Sequence, residues 1–593
     1  NAAYQITKTV SVNDGSLTLA FSADINNAKL AGLLVSGEGR TNPEPGTATI
    51  SGELRKWHKV TLSFDGPNHS ETDNTPNPFL DYRLNVTFSH SSSGKSYIVP
   101  GYFATDGNAA ETSATSGNQW KVHFRTEEAG TWNYAASFRK GSQIAISTSS
   151  SAGTANTTLD GITGSIEIKN SNKSGRDFRA KGRLEYVGKH YLQFAETGEY
   201  FVKGGSDAPE NFLAYDDFDN TPNSGGRRKS WSPHASDWNN GDPDWKGNKG
   251  REMIGALNYL ASEEANVFSF LTMNINGDDK NVYPYVSSSD FKHFDVSKLD
   301  QWEIVFEHAQ ELGLYLHFKT QETENDQLLD GGDLGTNRKL YYRMLVSCFG
   351  HHLALNWNLW EENDIWQELN DPGNNRIKSY AQYFQDIDPY DHHIVIHTYP
   401  GQQDEVYNPL IGNKSRLTGA SIQTGYSNVY RDTKKWVEAS EAAGKPWVVA
   451  NDEQGSANIG VPPDLGYTDP ITGDTYNGKD LQGNNVNVSQ DDIRKKTLWG
   501  NLMAGGAGVE YYYGYRLPQS DLTLQDYRSR DKMWEYTRYA LQFFNQHLPV
   551  WEMTPNNKLV NNGWCLAKTG EVYAVYLENG GLSSVSLGSS GTK

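Results

Sequence analysis

Two stretches of this sequence indicate its fold: LALNWNLWEEND (Leu353 to Asp364) and KPWVVANDEQG (Lys445 to Gly455). Each is a run of apolar, β-branched or aromatic residues that ends in acidic residues, a pattern typical of a buried parallel strand. In a barrel of alternating strands and helices, the carboxyl ends of the strands form the active-site face. Glu361, Glu362 and Glu453 are therefore the first candidate catalytic residues.

The same pattern repeats along most of the chain. Beyond Lys181, apolar runs alternate with amphipathic helical segments and give eight strand candidates between Tyr200 and Tyr515. Eight such pairs predict a (β/α)8 TIM barrel with long loops. A doubly wound open sheet is the alternative, and no Gly-rich phosphate-binding turn supports it.

Both ends of the sequence read as β-structure. Alternating segments such as KVTLSF and DYRLNVTF, separated by Gly, Asn, Asp and Pro, predict an N-terminal β-sandwich. A Ser/Thr/Ala/Gly-rich stretch after it is typical of a linker. We predict a sandwich and linker over residues 1–175, the catalytic barrel over 176–549, and an incomplete C-terminal β-strand domain over 550–593.

Composition narrows the function classes. The net charge is −19, which argues against nucleic-acid binding, because phosphate neutralisation needs a surplus of Lys and Arg. No apolar run reaches the roughly 20 residues that span a bilayer, so no membrane insertion is expected. The start at NAAYQ fits a mature form without its signal peptide. A secreted or periplasmic location is expected from the function predicted below, not from the chain itself. The oligomeric state stays open.

Cofactor and metal chemistry find no support in the sequence. Cys348 and Cys565 are far apart and form neither a disulfide framework nor a zinc site. No His pair has the HExxH spacing, and no GxSxG nucleophile elbow is present. We therefore expect no cofactor and no metal.

Longer blocks resemble known proteins. PNPFLDYRLNVTF, VPGYFATDG and WKVHFRTEEAGTWNY resemble the sandwich that precedes many bacterial glycoside hydrolase barrels. FVKGGSDAPENFLAY, GREMIGALNYLASEEANVFSFLTMNINGD, DVSKLDQWEIVFEHAQELGLYLHFKTQETEND and PWVVANDEQG resemble such a barrel, a clan A glycoside hydrolase related to the apiosidase-like group. The resemblance covers most of the chain.

The resemblance implies roles for individual residues. In that clan the acid/base carboxyl ends strand four, commonly as Gly-Asn-Glu, and the nucleophilic Glu ends strand seven. Glu362 would be the acid/base and Glu453 the nucleophile, with Glu361 as the alternative acid/base. This chain departs from the pattern, because Trp360 and Glu361 replace the usual Gly and Asn. Independently, a retaining hydrolase needs two carboxyl groups about 5 to 5.5 Å apart.

Other residues are candidates for substrate binding. Trp360 could stack on a sugar ring, and the remaining candidates at strand ends could hydrogen-bond to sugar hydroxyls. Arg227, Arg228 and Lys229 form the one dense basic cluster, which predicts an anionic, sulfated or uronic glycan if it is not simply a solvated loop. The strand-end candidates are Asn276, His397, Tyr399 and Gln423.

These observations predict a secreted bacterial enzyme that hydrolyses a plant or algal polysaccharide, or its oligosaccharides, with retention. A noncatalytic glycan-binding protein on the same scaffold and a polysaccharide lyase are the alternatives. Turnover on a glycan panel separates the first alternative, and unsaturated products reveal the second. The sugar and the linkage do not follow from the sequence, because one barrel hosts many chemistries.

Overall fold

The computed structural model describes residues 47–363, 371, 373–455 and 458–587. Two antiparallel sheets form the amino-terminal region, one in the order β1-β2-β6-β5 and the other β4-β3-β7-β8 with β9 beside β7. Phe88 stacks on Phe124 between them, with ring centroids 3.9 Å apart, as expected where two sheet faces pack into one core. The elements are β1 (Thr49–Gly52), β2 (Val60–Ser70), β3 (Tyr82–His90), β4 (Ser96–Pro100), β5 (Tyr102–Phe103), α1 (Ala109–Thr112), β6 (Ser116–Phe124), β7 (Gly130–Lys140), β8 (Thr154–Ala155) and β9 (Thr163–Ile168).

A small antiparallel sheet follows and lies at the amino-terminal end of the barrel. Leu192 and Phe201 from this sheet line the same internal cavity as Tyr315 and Val448 of the barrel strands. They therefore close the end of the barrel opposite the predicted active site. The elements are α2 (Phe178–Lys181), β10 (Leu184–Tyr186), β11 (Leu192–Phe194) and β12 (Tyr200–Phe201).

Nine parallel segments form the central sheet, in the order β17-β16-β15-β14-β13-β21-β20-β19-β18. Because β17 pairs with β16 and β18 with β19, and only Ile396 separates β17 from β18, these two are halves of one strand. The sheet is thus a closed eight-stranded barrel. The strands are β13 (Lys203–Ser206), β14 (Val267–Leu271), β15 (Tyr315–Lys319), β16 (Leu355–Asn358), β17 (His393–Val395), β18 (His397–Thr398), β19 (Gly419–Thr424), β20 (Val448–Gln454) and β21 (Gly508–Tyr511).

Helices surround this barrel and connect its successive strands. Before β15, the Asp295 side chain accepts a hydrogen bond from the Lys298 N–H at the start of α4, and Gly313 turns the chain with a φ of +74° after its end. The helices are α3 (Arg251–Ser262), α4 (Val296–Glu311), α5 (Thr336–Phe349), α6 (Asn375–Ile387), α7 (Gln403–Tyr407), α8 (Val429–Ala442), α9 (Gln490–Ile493), α10 (Trp499–Met503) and α11 (Asp531–His547).

A three-stranded antiparallel sheet ends the described chain: β22 (Thr554–Pro555), β23 (Trp564–Lys568) and β24 (Val572–Tyr576). It packs on the barrel helices, with Tyr576 stacked on Trp499 at 4.9 Å and Trp564 on Tyr430 at 4.4 Å. The TIM barrel with β-structure at both ends is therefore confirmed. The three domain boundaries stay a prediction. None of the described helices is long and apolar enough to cross a membrane.

A buried polar network joins the sandwich to the barrel. Glu303 on α4 accepts hydrogen bonds from Lys59 of the sandwich at 2.7 Å and from His351 and His352 at 2.9 Å each. Burial alone would raise the pKa of Glu303, but the imidazole contacts and the Lys59 ammonium hold it well below its usual value. The interface therefore depends on an ionised Glu303.

We expect Glu303→Gln to lower the free energy of unfolding by about 3 kcal/mol at neutral pH, because it leaves the partly buried Lys59 ammonium with only its longer contact to Glu307, at 3.7 Å. The pKa of Glu303 is depressed, so its contribution is present above 4.5, its usual value, and fades as the pH falls below that. Urea titrations at several pH values measure this. Glu311→Gln on the same helix is the control. Glu311 is itself exposed, and its partner Arg179 keeps a second ion pair with Asp177, so this change should cost about 1 kcal/mol or less.

Candidate active site

Two neighbouring carboxyl groups follow strand β16. The strand ends at Asn358, so the alternation of side chains along a strand no longer governs Glu361 and Glu362. Glu362 has a φ of +49°, a left-handed conformation that turns the chain sharply at this point. As a result, the side chains of Glu361 and Glu362 both lie at the active-site end of the barrel, and each contacts different partners.

Glu361 lies against a buried cation. The Lys319 ammonium, at the end of β15, forms an ion pair with Glu361 and another with Asp207, whose Oδ1 lies 2.7 Å away. Lys319 and Asp207 are fully buried, and Glu361 is 1% exposed. Burial works against the Lys319 charge, yet the two carboxylates raise the pKa of Lys319 well above its usual value. Lys319 and Glu361 therefore form an ion pair that is buried from solvent.

Among the residues that the structure describes, no cation forms an ion pair with Glu362. Its Oε1 accepts a hydrogen bond from Gln423 Nε2 at 2.8 Å. Burial raises the pKa of Glu362 to about 7, with a further contribution from the Glu361 charge, while the Gln423 hydrogen bond opposes the shift. Near neutral pH, Glu362 can therefore hold or release a proton, as a general acid/base must.

Glu453 reaches the site through an irregularity in strand β20. The β19–β20 register shifts between Ile422 and Gln423, so that successive residues Asp452 and Glu453 both face the barrel interior. Asp452 lies 2.6 Å from the Lys203 ammonium, deeper in the barrel. Glu453 lies near His397, with 3.5 Å between its Oε2 and His397 Nε2. Burial, followed by the charge of Glu362, raises the pKa of Glu453 well above its usual value.

The structure thus brings Glu361, Glu362, Glu453, His397 and Gln423 together. One oxygen of Glu361, one nitrogen of His397 and one oxygen of Glu453 all lie within 4.8 Å of one another. Burial raises the pKa of Glu362 to about 7 and that of Glu453 well above its usual value, and the charge of Glu362 adds to the second shift. Glu361, which pairs with Lys319, and these two carboxyl groups therefore lie together in different environments.

Metal binding has two sets of candidate ligands at this end of the barrel. The first is Glu361, His397 and Glu453, but the Lys319 ammonium already occupies Glu361 and would repel a metal cation. The second is Asp278, Glu322 and Glu324 in the loops after β14 and β15. Asp278 is exposed, and exposed acidic groups are common without an ion, whereas Glu322 is buried and its Oε2 has no hydrogen-bond partner among the described residues.

The remaining predicted contacts are more widely spread. Trp360 is 1% exposed, so stacking on a sugar would require its surroundings to open. Asn276 and Tyr399 are exposed, the latter by 41%. Their positions in loops after β14 and β18 leave them free to contact a long substrate at the mouth of the barrel, and their binding roles stay predictions.

The basic loop is largely bound to the protein itself. The Arg227 guanidinium donates to the Asp278 carbonyl oxygen, and Arg228 donates to that of Thr221 at 3.1 Å. Lys229 is 1% exposed, and its ammonium donates to the Leu522 carbonyl oxygen. Burial lowers the pKa of Lys229 to about 7. Lys229 therefore does not present a solvent-exposed charge, contrary to what the sequence pattern predicts for this loop.

The sequence pattern did not single out the charges beneath the carboxyl groups. Lys319 and Asp207 hold Glu361, and below them Lys203 and His317 contact Glu510, His317 at 2.9 Å. One signal was available. Lys319 follows His317 by two residues in LYLHFKTQE, so both face the same side of one apolar strand, and a Lys there needs a buried partner.

Comparisons with known proteins agree with this fold. A family model described as Domain of unknown function (DUF5060) matches residues 53–139. A candidate glycoside hydrolase from Bacteroides vulgatus ATCC 8482 is similar over 88% of this chain and 84% of its own, with a TM-score of 0.54 and 14% identity. A family 5 glycoside hydrolase from the same organism covers 67% of this chain and 79% of its own, with a TM-score of 0.43 and 15% identity. No curated protein matches. At 14% identity, the first of these likenesses shows the fold alone.

We expect Lys319→Met to create one additional protonated carboxyl group at about pH 7, because buried carboxylates without a counter-ion take up a proton. Infrared difference spectra in the region of the protonated carboxyl stretch measure it. Adding Glu361→Gln to this variant should remove or shift the new band. Lys435→Met is the control, since Lys435 pairs with exposed Asp404. An unchanged spectrum for Lys319→Met would show that Glu361 does not depend on this ammonium.

Proposed function

We propose that this protein is a retaining glycoside hydrolase, with Glu453 as nucleophile and Glu362 as acid/base. The observation that carries the proposal is the unequal environment of three carboxyl groups at one end of a barrel. The Lys319 ammonium forms an ion pair with Glu361, whereas burial raises the pKa of both Glu362 and Glu453. A retaining hydrolase needs one carboxylate and one carboxylic acid at the same pH.

The chemistry would proceed in two steps. Glu453 attacks the anomeric carbon while Glu362 protonates the departing glycosidic oxygen, which leaves a glycosyl ester on Glu453. Glu362, now ionised, then takes a proton from water, and the water oxygen attacks the anomeric carbon to release Glu453. His397 Nε2 lies 3.5 Å from Glu453 Oε2 and would help to orient the carboxyl group of the nucleophile. Glu361 cannot readily act as the proton donor, because Lys319 favours its ionised form.

The location of the enzyme and the class of its substrate are proposed from the sequence. The bacterial sandwich-and-barrel resemblance supports a role in degrading a plant or algal polysaccharide or its oligosaccharides, and a role of this kind supports export. A noncatalytic glycan-binding protein would bind the same substrates without releasing any product. The variants below separate these two functions.

Glu453→Gln should reduce turnover by on the order of 10⁴-fold or more, because an amide cannot form the glycosyl ester. Reducing-sugar release on a panel of plant and algal polysaccharides measures it. Asp452→Asn, one residue earlier, is a matched change in a carboxylate that faces Lys203 instead of the site, and it should retain far more activity. Activity in Glu453→Gln within about tenfold of the wild type would contradict the role of Glu453.

Glu362→Ala should lose about 10²- to 10⁴-fold in turnover on natural glycans and regain activity with added azide, which attacks the glycosyl ester without needing a base. The wild-type rate should fall as the pH rises through about 7, because the acid must be protonated and the pKa of Glu362 lies there. In the variant this fall should disappear. Azide rescue of Glu361→Ala, without rescue of Glu362→Ala, would instead make Glu361 the acid/base.

A further inference from the structure

Three carboxyl groups meet in the loops that follow β14 and β15. They belong to Asp278, Glu322 and Glu324, and one oxygen of each lies within 4.8 Å of the other two. In the part of the chain that the structure describes, no Lys, Arg or His forms an ion pair with any of them. Arg227, in the loop after β13, donates to the backbone carbonyl oxygen of Asp278 and not to its carboxyl group. These residues therefore supply no ion pair that would relieve the repulsion among the three carboxyl groups.

A buried oxygen of Glu322 lacks a hydrogen-bond donor. The side chain is 6% exposed, and its Oε2 has no hydrogen-bond partner among the described residues. An unpaired buried acceptor is costly, so such an oxygen normally faces a donor or a cation. Burial, followed by the charge of Glu324, raises the pKa of Glu322 well above its usual value. A proton is therefore the occupant that competes with a cation for this carboxyl group.

A second buried oxygen lies beside the first. The Asn274 side chain is fully buried, and its Oδ1 accepts a hydrogen bond from the Gly277 N–H at 3.1 Å, which fixes the orientation of the amide. A Cβ on Gly277 would lie 1.8 Å from Glu322 Oε2 and 2.6 Å from Asn274 Oδ1. The two acceptors are therefore neighbours, and glycine is needed here because a side chain would displace them. A cation between the loops would satisfy both oxygens.

The two loops are fixed against each other. Asn325 Oδ1 accepts hydrogen bonds from the N–H groups of Ile275 and Asn276, at 3.0 Å each, and Asn325 is fully buried. Oxygen ligands on both loops are therefore held near one another. A group of three carboxylates and an amide oxygen suits Ca²⁺, which takes about six to eight oxygen ligands. Mg²⁺ is usually held by only one or two carboxylates and keeps several waters.

We propose that the carboxyl groups of Asp278, Glu322 and Glu324 bind a calcium ion. Asn274 Oδ1 is placed to be a fourth ligand, and water would complete the coordination. The ion would cross-link the loops after β14 and β15. The sequence led us to expect no metal because its His and Cys spacings fit none, whereas this site uses only oxygen ligands from loops.

The same ion would brace the backbone next to the candidate catalytic residues. The carbonyl oxygen of Gln321, the residue before Glu322, accepts a hydrogen bond from the Glu361 N–H at 2.9 Å. Calcium binding itself does not depend on the proposed hydrolase function. A binding measurement therefore tests the site whether or not the protein releases sugar.

Calcium titration of the full chain tests the proposal. The protein is treated with a chelator, dialysed free of it, and titrated with Ca²⁺ by isothermal calorimetry up to about 10 mM, above the range of weak extracellular calcium sites. We expect saturable binding of Ca²⁺, and binding of Mg²⁺ that is weaker by about tenfold or more. An absence of calcium binding would overturn the proposal and leave a proton on Glu322. Equal or tighter binding of Mg²⁺ would overturn the assignment to calcium.

Three variants locate the ion. Glu322→Gln keeps the shape of the side chain and should weaken Ca²⁺ binding by about tenfold or more, because affinity depends on the number of charged ligands. Asp278→Asn should have a similar effect at an exposed position, where folding is not at risk. Glu453→Gln is the matched control, since Glu453 belongs with Glu361 and His397 to the other set of candidate ligands, and it should leave Ca²⁺ binding unchanged. Unchanged binding in the first two variants, or a loss in Glu453→Gln alone, would overturn the proposal.

Discussion

One buried ammonium organises the carboxyl end of this barrel. Lys319 lies between Asp207 and Glu361, and the three side chains come from three different strand ends. Removing one partner of a buried ion pair leaves an uncompensated charge that costs roughly 3 to 5 kcal/mol, so the three are mutually dependent. This pairing separates Glu361 from Glu362, although the two are neighbours in the sequence.

Because Lys319 pairs with Glu361 and not with Glu362, the two neighbouring carboxyl groups differ in how strongly their surroundings favour the ionised form. A carboxylate with a cation beside it stays ionised, whereas buried carboxyl groups that face one another retain a proton. Two local irregularities put these groups in place. Strand β16 ends before Glu361, and the register shift in β20 brings both Asp452 and Glu453 to the interior. Regular strands would have turned one residue of each pair outward.

Much of the scaffold could be predicted from sequence, because a buried parallel strand is a short apolar run and a barrel repeats it eight times. All eight predicted strands are present, and Glu453 lies in the last residues of its strand as expected. The partners of Glu361 could not be predicted. Asp207 and Lys319 are distant in sequence, and only the closed barrel brings them together. The prediction that Lys229 presents an exposed charge was wrong for a related reason. Its ammonium donates to the backbone carbonyl oxygen of Leu522, and a sequence does not show which backbone carbonyl a side chain will reach.

The division of roles between Glu361 and Glu362 is the central claim, and neutron diffraction from a deuterium-exchanged crystal tests it most directly. The crystal would be held at about pH 6, one unit below the pKa of about 7 for Glu362. The account predicts a deuteron on the Glu362 carboxyl group, none on Glu361, and three on the Lys319 nitrogen. A deuteron on Glu361, with a bare Glu362, would contradict it.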